Sequence, residues 1–207
     1  MIVVDIETSG LDYEKLGIWQ IGAIELENPA NSFLEEARID DDDVINPDSL
    51  KIIGKTEEEL RDKTKKSQKE LLADFFEWAR KIEIMDCVCQ NPQFDWSLLY
   101  IKAMKYKLNF PFIHRAYDLH SIAQLKYFQL KGKFLIKKNI TDMGLSKILI
   151  FVGMHDNRKE HNALEDAKLT AECFSRIVYG KNLIDLYKDF IIPPYLKPGF
   201  NIKEKIK

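Results

Sequence analysis

Ile2-Val3-Val4-Asp5-Ile6-Glu7-Thr8-Ser9-Gly10-Leu11 is the stretch on which the reading of this chain turns. An apolar run carrying two acids, closed by Ser9-Gly10, predicts a buried strand over residues 1–7 followed by a turn. Side chains alternate faces along a strand, so Asp5 and Glu7 point one way while Val4 and Ile6 point the other, into a core. Two carboxylates on one face of a mostly apolar strand repel each other and resist burial. A cation removes both problems. A solvated strand edge does so too, and for Asp-x-Glu by itself that is the commoner explanation.

Working outward, Gly17–Leu26 predicts a second strand and 32–39 a third, completing an antiparallel meander. The run Asp40–Asp43 breaks the pattern and reads as a solvated loop. Thr56-Glu57-Glu58-Glu59 fits a capping box opening a short helix. Ser67-Gln68-Lys69-Glu70 is a second box, with Leu71, Leu72, Phe75, Phe76 and Ala79 behind it at helical spacing. Residues 86–90 read as a short buried strand, after which Asn91 and Pro92 suit the N-cap and first position of a helix. Tyr117-Asp118 ends another strand, with Asp118 capping a helix over 119–128. A basic connection, 131–139, precedes a helical segment over 140–153. The last helix follows Asn162 and buries Leu164, Ala167, Ala171, Phe174 and Val178 on one face. Strands first, then strands alternating with helices, predict an α/β fold: a mixed central sheet, antiparallel meander plus parallel strands, flanked by helices. One domain over 1–180 is expected, with 181–207 as a C-terminal extension or tail, marked by Pro193-Pro194 and Pro198-Gly199, and not a separate domain.

Composition narrows the function classes. At 207 residues the chain can bury a large core. No apolar run approaches the roughly 18–20 residues needed to span a bilayer, and the N-terminus lacks a signal-peptide pattern. Cys87, Cys89 and Cys173 have an odd count and no metal-type spacing, so reduced core thiols and a cytoplasmic location are expected. A net charge of −2 disfavours a long grip on duplex DNA and favours a short footprint such as one strand end.

Two further blocks stand beside the first. In Asn91-Pro92-Gln93-Phe94-Asp95-Trp96, Asp95 falls near a helix start, where the macrodipole favours negative charge by roughly 0.3–1 kcal/mol. In His161-Asn162-Ala163-Leu164-Glu165-Asp166-Ala167, a continuous helix would turn His161 about 140° away from Asp166. With Asn162 as N-cap, Asp166 lies instead in the first turn and His161 just outside, on a loop. Each block alone has an ordinary structural explanation; their conjunction, in this order, carries the weight.

In that conjunction the chain resembles the DEDDh-type 3′→5′ exonucleases, the group of the proofreading epsilon subunit, ribonuclease T and oligoribonuclease. The resemblance runs from about Met1 to Gly180 and rests on Asp5-Ile6-Glu7-Thr8-Ser9-Gly10-Leu11, Asn91-Pro92-Gln93-Phe94-Asp95 and the His161 to Asp166 spacing. Ser9 stands where many members carry threonine. The resemblance implies a ribonuclease H-like fold. It implies that Asp5, Glu7, Asp95 and Asp166 bind two Mg²⁺ or Mn²⁺ ions, all-oxygen ligands suiting those hard cations. It implies His161 as the base that takes a proton from water. Thr8, Gly10 and Leu11 are expected to hold the terminal nucleotide, and Phe94 could touch a base. The expected reaction is hydrolysis at the 3′ end of single-stranded DNA or RNA, releasing nucleoside 5′-monophosphates. A polymerase or a second copy of the chain is a candidate partner, and no membrane is expected. The alternative is a non-catalytic adaptor on the same fold, binding nucleic acid or a polymerase. Lys102, Lys105 and Lys107 with Tyr100 and Tyr106, and Lys131, Lys133, Lys137 and Lys138, could guide a phosphate backbone, although solvated lysines are the ordinary explanation. His155, on the loop of His161, is a distant alternative base.

Overall fold

A computed structural model describes residues 1–158 and 162–200 of the chain. The N-terminal apolar stretch forms β1 (Ile2–Thr8), followed by β2 (Ile18–Glu25) and β3 (Asn28–Glu36) as an antiparallel meander. Three helices come next: α1 (Pro47–Ile53), α2 (Glu57–Leu60) and α3 (Gln68–Ala79). The chain then alternates through β4 (Cys87–Cys89), α4 (Asp95–Tyr106), β5 (Ala116–Asp118) and α5 (Leu119–Lys131). A small hairpin, β6 (Ile136–Lys137) and β7 (Ile140–Thr141), leads to α6 (Leu145–Phe151) and α7 (Ala163–Val178). The five-stranded sheet has the order β3-β2-β1-β4-β5, with β4 parallel to both β1 and β5. This is the mixed α/β sheet of the ribonuclease H-like fold.

Alternation along β1 divides the core into two layers. Ile2, Val4 and Ile6 pack with Leu71, Phe75, Leu98 and Leu99 of α3 and α4 on one face. Val3 packs on the other face with residues of α5, α6 and α7. The two capping boxes form as expected, Thr56 with Glu59 and Ser67 with Glu70. The three cysteines are buried free thiols, and burial pushes each of them up from its ordinary pKa. Among the described residues no helix is long and apolar enough to cross a membrane.

Four expectations need correction. The Asp40–Asp43 run is not simply a solvated loop. Asp43 is buried, its Oδ1 2.7 Å from the equally buried Lys102 Nζ, and Gln68 Nε2 donates to its Oδ2. A buried charge needs a partner, and α4 supplies it. Asp40 is paired as well, accepting from Lys105 and Tyr106. Second, the helix expected at Asn91-Pro92 starts at Asp95. Asn91 O accepts from Phe94 N at 2.9 Å, so Asn91–Phe94 is a turn that swings Phe94 to the mouth of a cleft. Third, 131–153 is not a connection followed by one helix. Lys138 and Asn139 adopt left-handed backbone (φ 50° and 64°), which closes the β6–β7 hairpin, and beyond the end of α5 at Lys131 only Leu145–Phe151 is helical. Fourth, α7 is not one-sided. Ala167, Ala171 and Phe174 are buried, but so are Leu169, Thr170, Glu172 and Arg176, while Leu164 is half-buried and Val178 exposed. The sheet covers one side of α7, while α5, α6 and residues 181–200 pack on much of the remainder and leave Glu165 and Val178 exposed.

Residues 181–200 are fastened through α7. The fully buried Arg176 pairs with Glu172 at 2.7 Å and donates to Val152 O and Tyr187 O. Glu172 in turn accepts from Leu183 N and Ile184 N. Tyr187 and Leu196, each within a 3-10 turn, complete the apolar layer beneath.

Candidate active site

β1 sets Asp5 and Glu7 on the face that α7 covers. How close α7 can come is decided by Gly22, the β2 residue paired with Asp5. A Cβ built on Gly22 would lie 2.1 Å from Leu164 N, so only a residue without a side chain admits the start of the helix here. The contact is fixed by Gln20, whose Oε1 accepts from Ala163 N at 2.8 Å while its Nε2 donates to Glu36. Asn162 caps the helix, accepting from Leu164 N and Glu165 N. Asp166 therefore enters in the first turn, beside the strand acids. Oxygens of Asp5, Glu7 and Asp166 lie within 4.8 Å of one another.

Asp95 arrives from the other side of β1. It is the first residue of α4, and its Oδ1 accepts from Ile6 N at 3.3 Å. β4 pairs with β1 only at Ile2 and Val3, so the carboxylate takes up a strand N–H beyond the end of the parallel ladder. The four carboxylates and Arg158 line one cleft of about 500 Å³, a size suited to a small organic ligand.

Their electrostatics are unfavourable without a cation. Burial, then the charges of Asp95, Asp166 and Glu7, push Asp5 well above the carboxylate range. Burial and the neighbouring Asp166 and Asp95 push Glu7 up to about 8. Burial pushes Asp95 up to about 7 against the pull of its backbone hydrogen bonds. Arg158 opposes this, its Nη1 donating to Asp166 Oδ1 at 2.9 Å. Asp156 grips the same guanidinium through Nε and Nη2 at 2.9 and 2.7 Å, which holds Asp156 well below the usual carboxylate range. Clustered oxygen ligands with an excess of negative charge fit hard divalent cations.

A family profile described as RNase_T, Exonuclease, matches residues 2–174. The chain belongs to the RNase_T exonuclease family. The PolC-type DNA polymerase III of Thermotoga maritima is 28% identical over 190 residues, 90% of this chain and 12% of the polymerase. That of Thermotoga petrophila is 27% identical over the same shares. The chain thus spans about an eighth of the curated relatives it matches. The nuclease domain of 3′hExo bound to rAMP superposes with a TM-score of 0.64 at 14% identity, over 88% of this chain and 93% of that one. The zinc-bound E. coli ExoI–ssDNA complex gives 0.67 at 15%, over 87% and 40%.

In this exonuclease-family chain the structure brings Asp5, Glu7, Asp95 and Asp166 to one cleft. Thr8, Gly10, Leu11 and Phe94 line the same cleft, with Thr8 Oγ1 donating to Gly10 O at 2.8 Å and Leu11 exposed. Phe94 meets Tyr13 edge to face at 5.5 Å. His161 lies outside the described residues. His155 packs against Phe190 at 5.9 Å and is not among the described residues lining the cleft. Sequence reasoning missed Arg158, and also Ser49, Ile52 and Ile53 of α1, which form a wall. Asn46-Pro47-Asp48, an N-cap followed by proline at the first helical position, was the available signal for α1.

Proposed function

We propose that this chain is a 3′→5′ exonuclease that removes nucleoside 5′-monophosphates from the 3′ end of single-stranded DNA or RNA. The observation that carries the reading is the convergence of Asp5, Glu7 and Asp166 on one point of a cleft that Asp95 also lines. Asp5, Glu7, Asp95 and Asp166 would hold a pair of Mg²⁺ or Mn²⁺ ions, which when bound supply Lewis acidity to phosphodiester hydrolysis. The remaining work falls to the chain's own side chains. Thr8, Gly10 and Leu11 hold the terminal nucleotide, Leu11 against its base, and Phe94 offers a second apolar surface. Arg158 neutralises part of the acidic charge and keeps Asp166 oriented. His161 takes the proton of the attacking water. Structural neighbours seen with single-stranded DNA, the ExoI–ssDNA complex, and with a ribonucleoside monophosphate, the rAMP-bound nuclease domain, support the substrate class. Likeness to PolC-type polymerases supports a polymerase as partner. An adaptor freed from chemistry would have no use for a carboxylate cluster this costly to bury, which favours the enzyme.

Oligothymidylate and oligouridylate labelled at either end, incubated with Mn²⁺ or Mg²⁺, test the proposal. Stepwise release of mononucleotides from the 3′ end is expected, and Asp5→Ala or Asp166→Ala should remove it with the fold intact. Internal cuts, loss from the 5′ end, or full activity in either variant would overturn the reading.

A further inference from the structure

The β6–β7 hairpin and the end of α5 take no part in the cleft, yet their surface is unusual. Between Asp118 and Asp142 the chain carries Lys126, Lys131, Lys133, Lys137 and Lys138 and no acid, in a protein of net charge −2. All but the half-buried Lys126 are exposed. Phe128 and Phe134 stack on each other, ring centroids 4.8 Å apart, and are still 41% and 52% open to water. The hairpin tip holds Lys138 in left-handed backbone, a conformation in which a lysine is strained and glycine would be easy.

The hairpin is also firmly mounted and adjoins the catalytic cleft along the chain. The buried Gln124 of α5 donates to Leu135 O and Thr141 Oγ1 at 2.9 and 2.7 Å and accepts from Leu135 N at 3.0 Å. Thr141 Oγ1 also bonds His120 Nε2 at 2.7 Å. From Thr141 the chain runs directly into α6, whose Leu145 lines the cleft and whose Ser146 touches Arg158.

The geometry points to a second nucleic-acid contact: the β6–β7 hairpin, with Phe128 and Phe134, grips the single strand behind the 3′ end being cleaved. Its lysines meet phosphates, and the aromatic pair offers a face to a base. A patch of one sign suits a polyanion better than a protein surface of mixed charge. The inference deepens the exonuclease reading above and rests on it.

The test compares the full chain with K133Q/K137Q/K138Q and with Phe134→Ala. Substrates are a thymidylate dinucleotide and an oligothymidylate of roughly 15 nucleotides, the span of a single-strand site. Binding of the longer strand is followed separately by fluorescence anisotropy in EDTA. Each variant should bind the long strand about 10-fold more weakly, as expected for lost stacking or phosphate contacts, and raise its KM to match. Dinucleotide cleavage should not change, which also reports an intact fold. The salt dependence of long-strand binding should become shallower by about 2 in the lysine variant, three phosphate contacts at roughly 0.7 each. Unchanged long-strand binding and KM in both variants would overturn the inference and leave the surface to a protein partner. A wild-type chain that binds the long strand through this hairpin but cleaves neither these substrates nor their uridylate counterparts would sink the exonuclease reading alone.

Discussion

Glu7 and Asp95 keep protons that ordinary carboxylates surrender, because burial makes ionisation costly at both and, at Glu7, the charges of Asp166 and Asp95 add to it. Their folded pKa values, about 8 and about 7, stand above the unfolded ones, so the native state binds more protons than the unfolded state across the interval between. Their contribution is therefore favourable in acid and lost as pH rises. We expect the Tm of EDTA-treated protein to fall steadily between about pH 5 and about pH 8. Mn²⁺ should abolish the decline, and its affinity should climb over the same interval because it requires ionised ligands. A flat Tm profile would mean that burial does not hold these carboxylates protonated. At this scale the sequence was informative about the acids, since strand alternation and the cap at Asn162 constrain Asp5, Glu7 and Asp166 directly. It was silent about Arg158. With Asp156 two positions away, that arginine looks like half of a surface pair, and only the fold places Asp166 against its other edge. Ser9 stands at a position where the resembled family often carries threonine. It is fully buried, accepting from Gly17 N and donating to Val44 O, and so ties the first turn together.

Among the elements, α7 and β2 decide whether a site exists. A methyl group at Gly22 would meet the helix backbone, which cannot yield as a flexible side chain would. Gly22→Ala should cost about 1–3 kcal/mol in urea denaturation, as overpacked sites do. It should also weaken Mn²⁺ binding by calorimetry, because Asp166 moves with the helix. Wild-type metal affinity in a folded Gly22→Ala protein would break the link between this packing and the site. Elements with self-contained signals were legible: Thr56 with Glu59 and Ser67 with Glu70 carry both halves of their caps within one turn. Those that depend on distant partners were not. Asn91-Pro92 has the chemistry of a helix start, but the turn there presents Phe94 to the cleft and leaves Asp95 to open α4. The β6–β7 turn uses Lys138-Asn139, which lacks the usual glycine signal.

Over the whole molecule, the mixed character of the sheet followed from the succession of strands and helices, whereas its strand order and the seating of residues 181–200 did not. That segment has no periodicity to read, and its anchor is a charge pair inside a helix. Removing one member of a buried pair strands the other, so Arg176→Leu should destabilise the chain by about 3–5 kcal/mol in urea denaturation. Residues 181–200 should then become the first site of limited proteolysis. Resistance equal to wild type would show that the apolar contacts of Tyr187 and Leu196 hold the segment alone. The cysteines have a practical consequence. Cys87 and Cys89 sit in one apolar layer and Cys173 in the other, with their thiols sealed from solvent and held protonated. An alkylating reagent can reach them only when a layer opens. Pulsed alkylation read by mass spectrometry would therefore report, for each side of the sheet separately, how often the native protein breathes.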